Sequence, residues 1–109
     1  MAAQLTLKKN KKIIYKVPCK DCDLSYIGET ARDRSKRMSE HRTAIKKNDR
    51  NSELAKHAND ERHEIHLDNV ETLGNESDWR RRIIKESLFT QQSLGKTINE
   101  VKHSLRVFC

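Results

Sequence analysis

The sequence is poor in the residues that build a hydrophobic core. Only 34% of its 109 residues are hydrophobic and 5% are aromatic, whereas globular proteins usually contain about 45–50% apolar residues. A chain of this length forms one domain or is a piece of a longer protein. We therefore expect one small core that needs an additional stabilising element, either a metal ion or a disulfide.

Long apolar stretches are also absent. No run approaches the roughly eighteen residues of a transmembrane helix, and the start, MAAQLTLKKNKK, lacks the hydrophobic segment of a secretory signal. We therefore expect an intracellular protein with no membrane partner. In a reducing compartment a Cys-x-x-Cys pair is more often a metal or redox site than a structural disulfide. The third cysteine, Cys109, receives no role.

Positive charge is in excess along the chain. The 23 Lys and Arg against 16 Asp and Glu give a formal net charge of +7, which favours a polyanionic partner, nucleic acid above all. On charge alone, a merely soluble basic domain is an equally good interpretation. Residues 1–11 are Lys-rich and without periodicity, so we predict a flexible basic lead-in to a domain that spans residues 12–109.

Two short β-prone runs open the predicted domain. They are KIIYKV, which ends at Pro18, and LSYIG, which ends at Gly28. The residues CKDC between them are predicted as a hairpin connection. The two tyrosines of the chain, Tyr15 and Tyr26, then lie on paired antiparallel strands.

Three helices and a third strand are predicted downstream. Thr30 is expected to cap the first helix, which has a basic outer face, and Asn51 and Ser52 open a short second helix, SELAKHAND. The alternating EIHLDNVETLG predicts a strand that ends near Gly74. Ser77 and Asp78 can cap the last helix, whose apolar stripe is expected to face the core. The stripe comprises Trp79, Ile83, Ile84, Leu88 and Phe89. The order indicates an α+β fold with a three-stranded antiparallel sheet, an N-terminal hairpin and flanking helices.

The Cys-x-x-Cys pair is the sharpest local signal. Cys19 and Cys22 are separated by two residues in a turn, so both thiolates can reach one zinc ion at about 2.3 Å. A redox role is weaker, because thioredoxin-like motifs lie where a strand meets a helix. Two further ligands are required, and histidines can supply them. The candidates are His57 and His63 as the leading pair, with His41 and His66 as competitors.

Two of the predicted helices carry groups suited to phosphate chemistry. Arg37 and His41 are four positions apart, so they share a helix face and can act together on one phosphate. Solvated surface charge is the simpler interpretation of that pair. On the last helix, Glu86 is a lone carboxylate among basic residues that could hold Mg²⁺, or could instead pair with Arg82 four residues earlier.

Several short motifs follow one another in a recognisable order. These are IIY at 13–15, YIG at 26–28, Arg37, the helical Glu86 and a downstream Asn99. Together they resemble a GIY-YIG nuclease domain, and the similarity extends from Ile13 to about Asn99. More narrowly, YKVPCKDCDLSYIGET, RMSEHRTAIKKND, LAKHA and WRRRIIKESL resemble the endonuclease domain of Penelope-like retroelements. That resemblance implies a structural zinc site formed by Cys19, Cys22, His57 and His63.

The same resemblance implies hydrolysis of a DNA phosphodiester with one catalytic divalent cation, Mg²⁺ or Mn²⁺. Tyr15 would activate or orient the attacking water, and Tyr26 would support it. Arg37 would neutralise the scissile phosphate. Glu86 would ligate the catalytic cation.

His41 and Asn99 complete the predicted catalytic set. A tyrosine with a pKa near 10 is a poor base at neutral pH, so we expect its proton to be handed on, with His41 as a candidate. Asn99 would help to close the site. The first motif lacks its glycine, and Arg34 and Ser35 stand where an apolar residue is expected, which bears on how firmly Arg37 is held.

The resemblance also implies a setting. The domain would nick target DNA to provide a 3′-hydroxyl primer, beside a reverse transcriptase domain in a longer protein that acts in the nucleus. The alternative is a zinc-stapled nucleic-acid-binding module that does not cleave. Both interpretations predict salt-sensitive DNA binding.

Overall fold

β1 (Ile13–Pro18) is the central strand of a three-stranded antiparallel sheet, with β2 (Ser25–Thr30) on one side and β3 (Glu71–Asn75) on the other. The computed structural model describes residues 11–93 and 95–99. Of the predicted lead-in only Lys11 falls within these ranges, and Cys109 lies outside them. The small α+β fold with its three-stranded antiparallel sheet is confirmed.

The predicted N-terminal hairpin is present. β1 and β2 pair so that Tyr15 faces Gly28 and Val17 faces Tyr26. On its other side β1 pairs with β3, with a register shift between Ile14 and Tyr15. This arrangement puts the tyrosines on neighbouring strands, as the sequence predicts.

The first helix begins later than predicted. α1 (Arg34–Lys47) has Asp33 at its N-cap position, and the Asp33 side chain makes no capping hydrogen bond. Thr30, the predicted cap, instead ends β2, and its hydroxyl accepts a hydrogen bond from the backbone N–H of Arg32 at 3.0 Å. The prediction of a Thr30 cap is wrong because this threonine still pairs with Ile13 in the sheet.

The second helix agrees with its prediction, whereas the third strand is shorter. α2 (Glu53–Asp60) is capped by Ser52, whose side chain accepts a hydrogen bond from the Ala55 N–H. β3 occupies only the end of the predicted alternating segment. In the part before it, Ile65 forms an isolated bridge with Cys19, because turns break the pairing between residues 66 and 69.

The predicted apolar stripe of the last helix is buried only in part, since Ile83 and Phe89 are half-buried and the other three residues are exposed. α3 (Trp79–Gln92) is capped by Asp78, one of the two predicted caps, through a hydrogen bond from Arg80 N–H. Yet Trp79 is 60% exposed, and Ile84 and Leu88 are more than 40% exposed. The buried residues of α3 are Arg82, Ser87 and Thr90.

A buried ion pair explains the orientation of α3. Arg82 is 4% exposed, and its Nε donates to Glu29 Oε1 on β2 at 2.7 Å. The other buried residues of α3, Ser87 and Thr90, have small polar side chains. Arg82 therefore pairs with Glu29 across the fold rather than with Glu86 along the helix.

The core lies between the sheet and the helices. Its central cluster comprises Ile13, Tyr15, Val17 and Met38, with Tyr26 and three aliphatic residues of the loop before β3 packed against it. Its small size matches the low hydrophobic content. Within the described residues, no helix is long and apolar enough to cross a membrane.

Candidate active-site cleft and metal centre

A cleft of about 500 Å³ opens between α1, the start of α2, and α3. It collects side chains that are far apart in the sequence, including most of the predicted catalytic set. The predicted residues that line it are Tyr26, Arg37, His41, Glu86 and Asn99. Tyr15 does not line it.

Tyr15 lies beneath the cleft and is completely buried. Its hydroxyl is 2.7 Å from Nε2 of His41, and it accepts a hydrogen bond from Nε of Arg37 at 3.3 Å. Burial raises the pKa of Tyr15 and lowers the pKa of His41 to about 4, in the second case with help from the charge of Arg37. At neutral pH the phenol is therefore protonated and donates to an uncharged imidazole.

The aromatic rings around this hydrogen bond form a compact group. Tyr26 packs edge-on against His41 with ring centroids 5.3 Å apart, and the two tyrosine rings lie 6.3 Å apart. Burial and the charge of Glu86 raise the pKa of Tyr26. We call Tyr15, Tyr26 and His41 the tyrosine–histidine core.

Gly28 makes room for the tyrosine–histidine core. A Cβ atom at this position would lie 2.6 Å from the Tyr15 hydroxyl oxygen and 2.8 Å from the Tyr26 ring. Only glycine therefore fits beneath the Tyr15 ring without displacing it. The sequence analysis gives Gly28 as the end of a strand and as part of the YIG motif, without a packing role, although the hairpin register that pairs it with Tyr15 could have indicated this contact.

Arg37 is held from two sides. Besides its bond to Tyr15, it donates from NH1 to Oε1 of Glu40 at 2.8 Å. The other carboxylate oxygen of Glu40 pairs with Arg32. Glu40 also lines the cleft, and the sequence analysis did not select it.

Glu86 is a half-buried carboxyl group in the cleft. Burial and the negative charge of Glu29 raise its pKa to about 7, against the opposing effect of Arg37. One or two carboxylates are common protein ligands for Mg²⁺, which keeps most of its waters. Glu86 does not belong to any group of three or more close metal-ligating side chains within the described part of the chain.

Asn99 binds the edge of the sheet at the rim of the cleft. Its Oδ1 accepts from the Ile27 N–H at 2.8 Å, and its Nδ2 donates to the Ile27 carbonyl at 2.6 Å. The side-chain amide thus satisfies both main-chain groups of one β2 residue. Asn99 is positioned to shape the cleft wall, and its amide is already engaged.

A second constellation lies at the hairpin connection. The ligand atoms of Cys19, Cys22, His57 and His63, which we call the Cys2His2 cluster, all lie within 4.8 Å of one another. This group could hold a metal ion. The leading histidine pair is the one brought to the cysteines, while His41 belongs to the cleft and His66 stands apart with a buried Nδ1 that has no partner among the described residues.

The spacing of the cluster fits tetrahedral zinc. Cys19 Sγ lies 3.5 Å from His63 Nδ1, Cys22 Sγ lies 3.5 Å from His57 Nε2, and the two imidazole nitrogens lie 3.3 Å apart. A tetrahedron with Zn–S of about 2.3 Å and Zn–N of about 2.0–2.1 Å has edges of about 3.5 and 3.3 Å. The donor set is therefore compatible with structural zinc.

Backbone hydrogen bonds hold both halves of the Cys2His2 cluster. The Cys19 N–H bonds to Leu24 O at 3.0 Å, which closes the turn, and the Lys20 N–H bonds to Glu64 O at 2.9 Å, which ties the turn to the loop. The His63 N–H reaches back to Ala58 O at 3.0 Å. This last bond joins the loop to the end of α2.

No family model, no curated protein and no solved structure matches the chain.

Proposed function

We propose that this chain is a GIY-YIG-type DNA endonuclease domain, related to that of Penelope-like retroelements, which hydrolyses a phosphodiester with one Mg²⁺ or Mn²⁺ ion. One observation carries the proposal. The cleft gathers Tyr26, Arg37, His41, Glu86 and Asn99 from separate elements, above a buried Tyr15 that touches two of them. A cleft that brings together the catalytic set expected from sequence motifs is a functional-site candidate.

In this proposal Arg37 receives the phosphate. Its side chain is about one-third exposed, and Tyr15 and Glu40 fix its orientation. A positioned guanidinium offsets the charge that builds on the phosphate oxygens in the transition state. A divalent cation held by Glu86 would polarise the same phosphate when bound.

The two tyrosines have different roles. Tyr26 lines the cleft and can orient water, whereas Tyr15 is fully buried and acts through the groups it holds. Its hydroxyl donates to Nε2 of His41, so the single ring proton of the uncharged imidazole is on the other nitrogen, Nδ1. Because the pKa of His41 is lowered to about 4, the ring stays uncharged at neutral pH, and it can pass a proton only as a relay that takes the Tyr15 proton at Nε2 while Nδ1 gives up its own.

The proposed setting follows from the reaction. Cleavage of one strand by one cleft leaves a 3′-hydroxyl that a reverse transcriptase domain of the same longer protein could extend in the nucleus. The net charge of +7 favours DNA as the partner. The Cys2His2 cluster would contribute structural zinc at the hairpin connection.

Plasmid cleavage tests the proposal. Supercoiled plasmid is incubated with the protein and Mg²⁺ or Mn²⁺, and we expect relaxed circles from the parent. Glu86→Gln and Arg37→Gln should each lower the rate by at least about 100-fold. Glu71→Gln and Arg80→Gln make the same charge changes outside the cleft lining and should leave it unchanged. No product from a parent that binds DNA, or equal losses in the control variants, would refute the endonuclease.

One observation favours a non-catalytic alternative. Glu86 has a pKa raised to about 7, so about half of these carboxyl groups are protonated at neutral pH without a cation. Glu86 also stands outside the one group of close metal-ligating side chains found in the described ranges. A zinc-stapled nucleic-acid-binding module would therefore bind plasmid without cutting it, at any divalent cation concentration.

A further inference from the structure

Glu40 is bound to two arginines at the mouth of the cleft. One carboxylate oxygen accepts from NH1 of Arg37 at 2.8 Å and the other pairs with Arg32. The Glu40 and Arg37 side chains are both about one-third exposed, so solvent and solutes can reach this pair. The result is a surface-accessible chain of arginine, carboxylate and arginine that ends in the cleft.

The carboxylate occupies a donor that a bidentate phosphate would need. A guanidinium has five N–H donors in a fixed fork, and it binds carboxylate and phosphate oxygens in the same bidentate way, through two of its nitrogens. The Nε donor of Arg37 is already committed to Tyr15, and NH1 donates to Glu40. A phosphate that binds Arg37 through NH1 and NH2 together therefore competes with Glu40 for NH1.

We propose that Glu40 is a displaceable stand-in for the substrate phosphate: a DNA phosphodiester replaces its carboxylate on Arg37, while Arg32 retains the carboxylate. The inference rests on the proposed function, since it assumes that Arg37 binds phosphate. It adds a specificity-determining residue to that site.

The consequence is selection for a polymeric substrate. The hydrogen bond from Arg37 keeps the pKa of Glu40 below its usual range, so the carboxylate is charged at neutral pH. A single free phosphate must displace this charge with no other contacts to help it. A DNA backbone brings several phosphates to a chain with excess positive charge, and the release of its counterions drives the exchange.

Binding measurements without added Mg²⁺ test this exchange. The affinity of a short duplex is measured over a range of NaCl concentrations for the parent, Glu40→Gln and the control Asp68→Asn. Asp68 pairs with Arg42 at 3.5 Å and does not line the cleft. Its replacement by Asn removes one negative charge, as Glu40→Gln does. Chelators are avoided because they would compete for zinc.

We expect Glu40→Gln to bind duplex about fivefold to tenfold more tightly than Asp68→Asn does. Its plot of log affinity against log salt should have about the same slope, because Arg37 neutralises the same phosphate in both proteins once Glu40 has been displaced. Inorganic phosphate at millimolar concentration should compete with duplex for Glu40→Gln and not for the parent. If Glu40→Gln folds poorly, as judged by thermal unfolding, Glu40→Ala replaces it in the same salt titration.

The outcomes separate the two proposals. If Glu40→Gln and Asp68→Asn have equal affinities, if Glu40→Gln binds more weakly, or if its slope is steeper by about one unit because Glu40 still holds Arg37 in the DNA complex of the parent, the displacement is refuted. Plasmid cleavage by the parent would still support the endonuclease. If neither the parent nor any variant binds duplex, both proposals are refuted.

Discussion

The tyrosine–histidine core begins on β1 and the Cys2His2 cluster begins directly after this strand, yet the two regions are satisfied in different ways. Tyr15 and His41 are buried, and their facing polar atoms satisfy each other in a 2.7 Å contact. In the Cys2His2 cluster Cys19 is buried and the other three residues are half-buried. Their four ligand atoms converge on one point.

The two regions differ in whether their stability requires a group that the chain itself does not supply. A buried phenol and imidazole that bond to each other need no added group, and removing either one leaves the other unsatisfied. Four converging ligand atoms instead gain most of their free energy from an ion. The fold thus combines a region that the chain satisfies internally with one whose stability we expect to depend on a metal ion.

Zinc removal should have the largest effect. Metal analysis of the purified protein should give about one equivalent. The double variant Cys19→Ser/Cys22→Ser should lose it, together with several kcal/mol of unfolding free energy, because metal-binding energy becomes folding energy. Thermal unfolding checks the loss, with Cys109→Ser as the matched control that keeps the metal. A metal-free parent that unfolds cooperatively at the same temperature as the double variant would contradict this prediction.

Acid should weaken the tyrosine–histidine core through His41. The pKa of His41 is about 4 in the folded protein and near 6.5 in the unfolded chain, so the unfolded chain binds more protons between these two pH values. The stability that the uncharged His41 contributes is fully present above pH 6.5, and about 3 kcal/mol of it is lost as the pH falls to 4. Glu86 acts in the opposite direction: because its pKa is raised to about 7 in the folded protein, its ionisation lowers the unfolding free energy as the pH rises from 4.5 to 7.

Two measurements isolate the contribution of His41. NMR titration of its ring should give a pKa near 4. The difference in unfolding free energy between the parent and His41→Gln should shrink as the pH falls. A ring that titrates above pH 6 would show that the imidazole is not held unprotonated by burial.

Gly28 offers a smaller and more local perturbation. Gly28→Ala places a methyl group 2.6 Å from the Tyr15 hydroxyl oxygen, and such overpacking should cost about 2 kcal/mol. Gly74→Ala is the matched control, because nothing lies within 4 Å of the added atom. Urea unfolding of both variants checks the prediction, and the zinc content should stay unchanged. Equal stabilities would mean that Tyr15 does not lie where the structure has it.

The sequence could predict features that depend on short-range chemistry. Ser52 and Asp78 cap their helices as expected, because a side chain that accepts a nearby N–H is a local event. The hairpin follows from two β-prone runs joined by a short connection. The sequence itself makes His57 and His63 the leading pair of ligands beside the cysteines, with His41 and His66 in competition, and the resemblance implies the same pair.

The failures involve contacts across the fold. The orientation of α3 depends on Arg82 reaching Glu29, a residue 53 positions away. The apolar pattern predicts a different buried face, yet the residues of α3 that are buried are Arg82, Ser87 and Thr90. Glu40 was missed for a similar reason, because its importance arises from the Arg37 side chain that it holds in the cleft.

The pairing of Asn99 with Ile27 has a consequence for how copies of this protein meet. Lys96 O accepts from Ser25 N–H, Ile98 N–H donates to Ser25 O, and the Asn99 amide satisfies Ile27. The outward main-chain groups of these β2 residues are thereby capped, and an uncapped outer strand is where two sheets join edge to edge. A chain ended before Lys96 would expose this edge of β2. We therefore expect residues 96–99 to prevent edge-to-edge pairing between copies of the domain, in addition to the part that Asn99 has in the cleft wall.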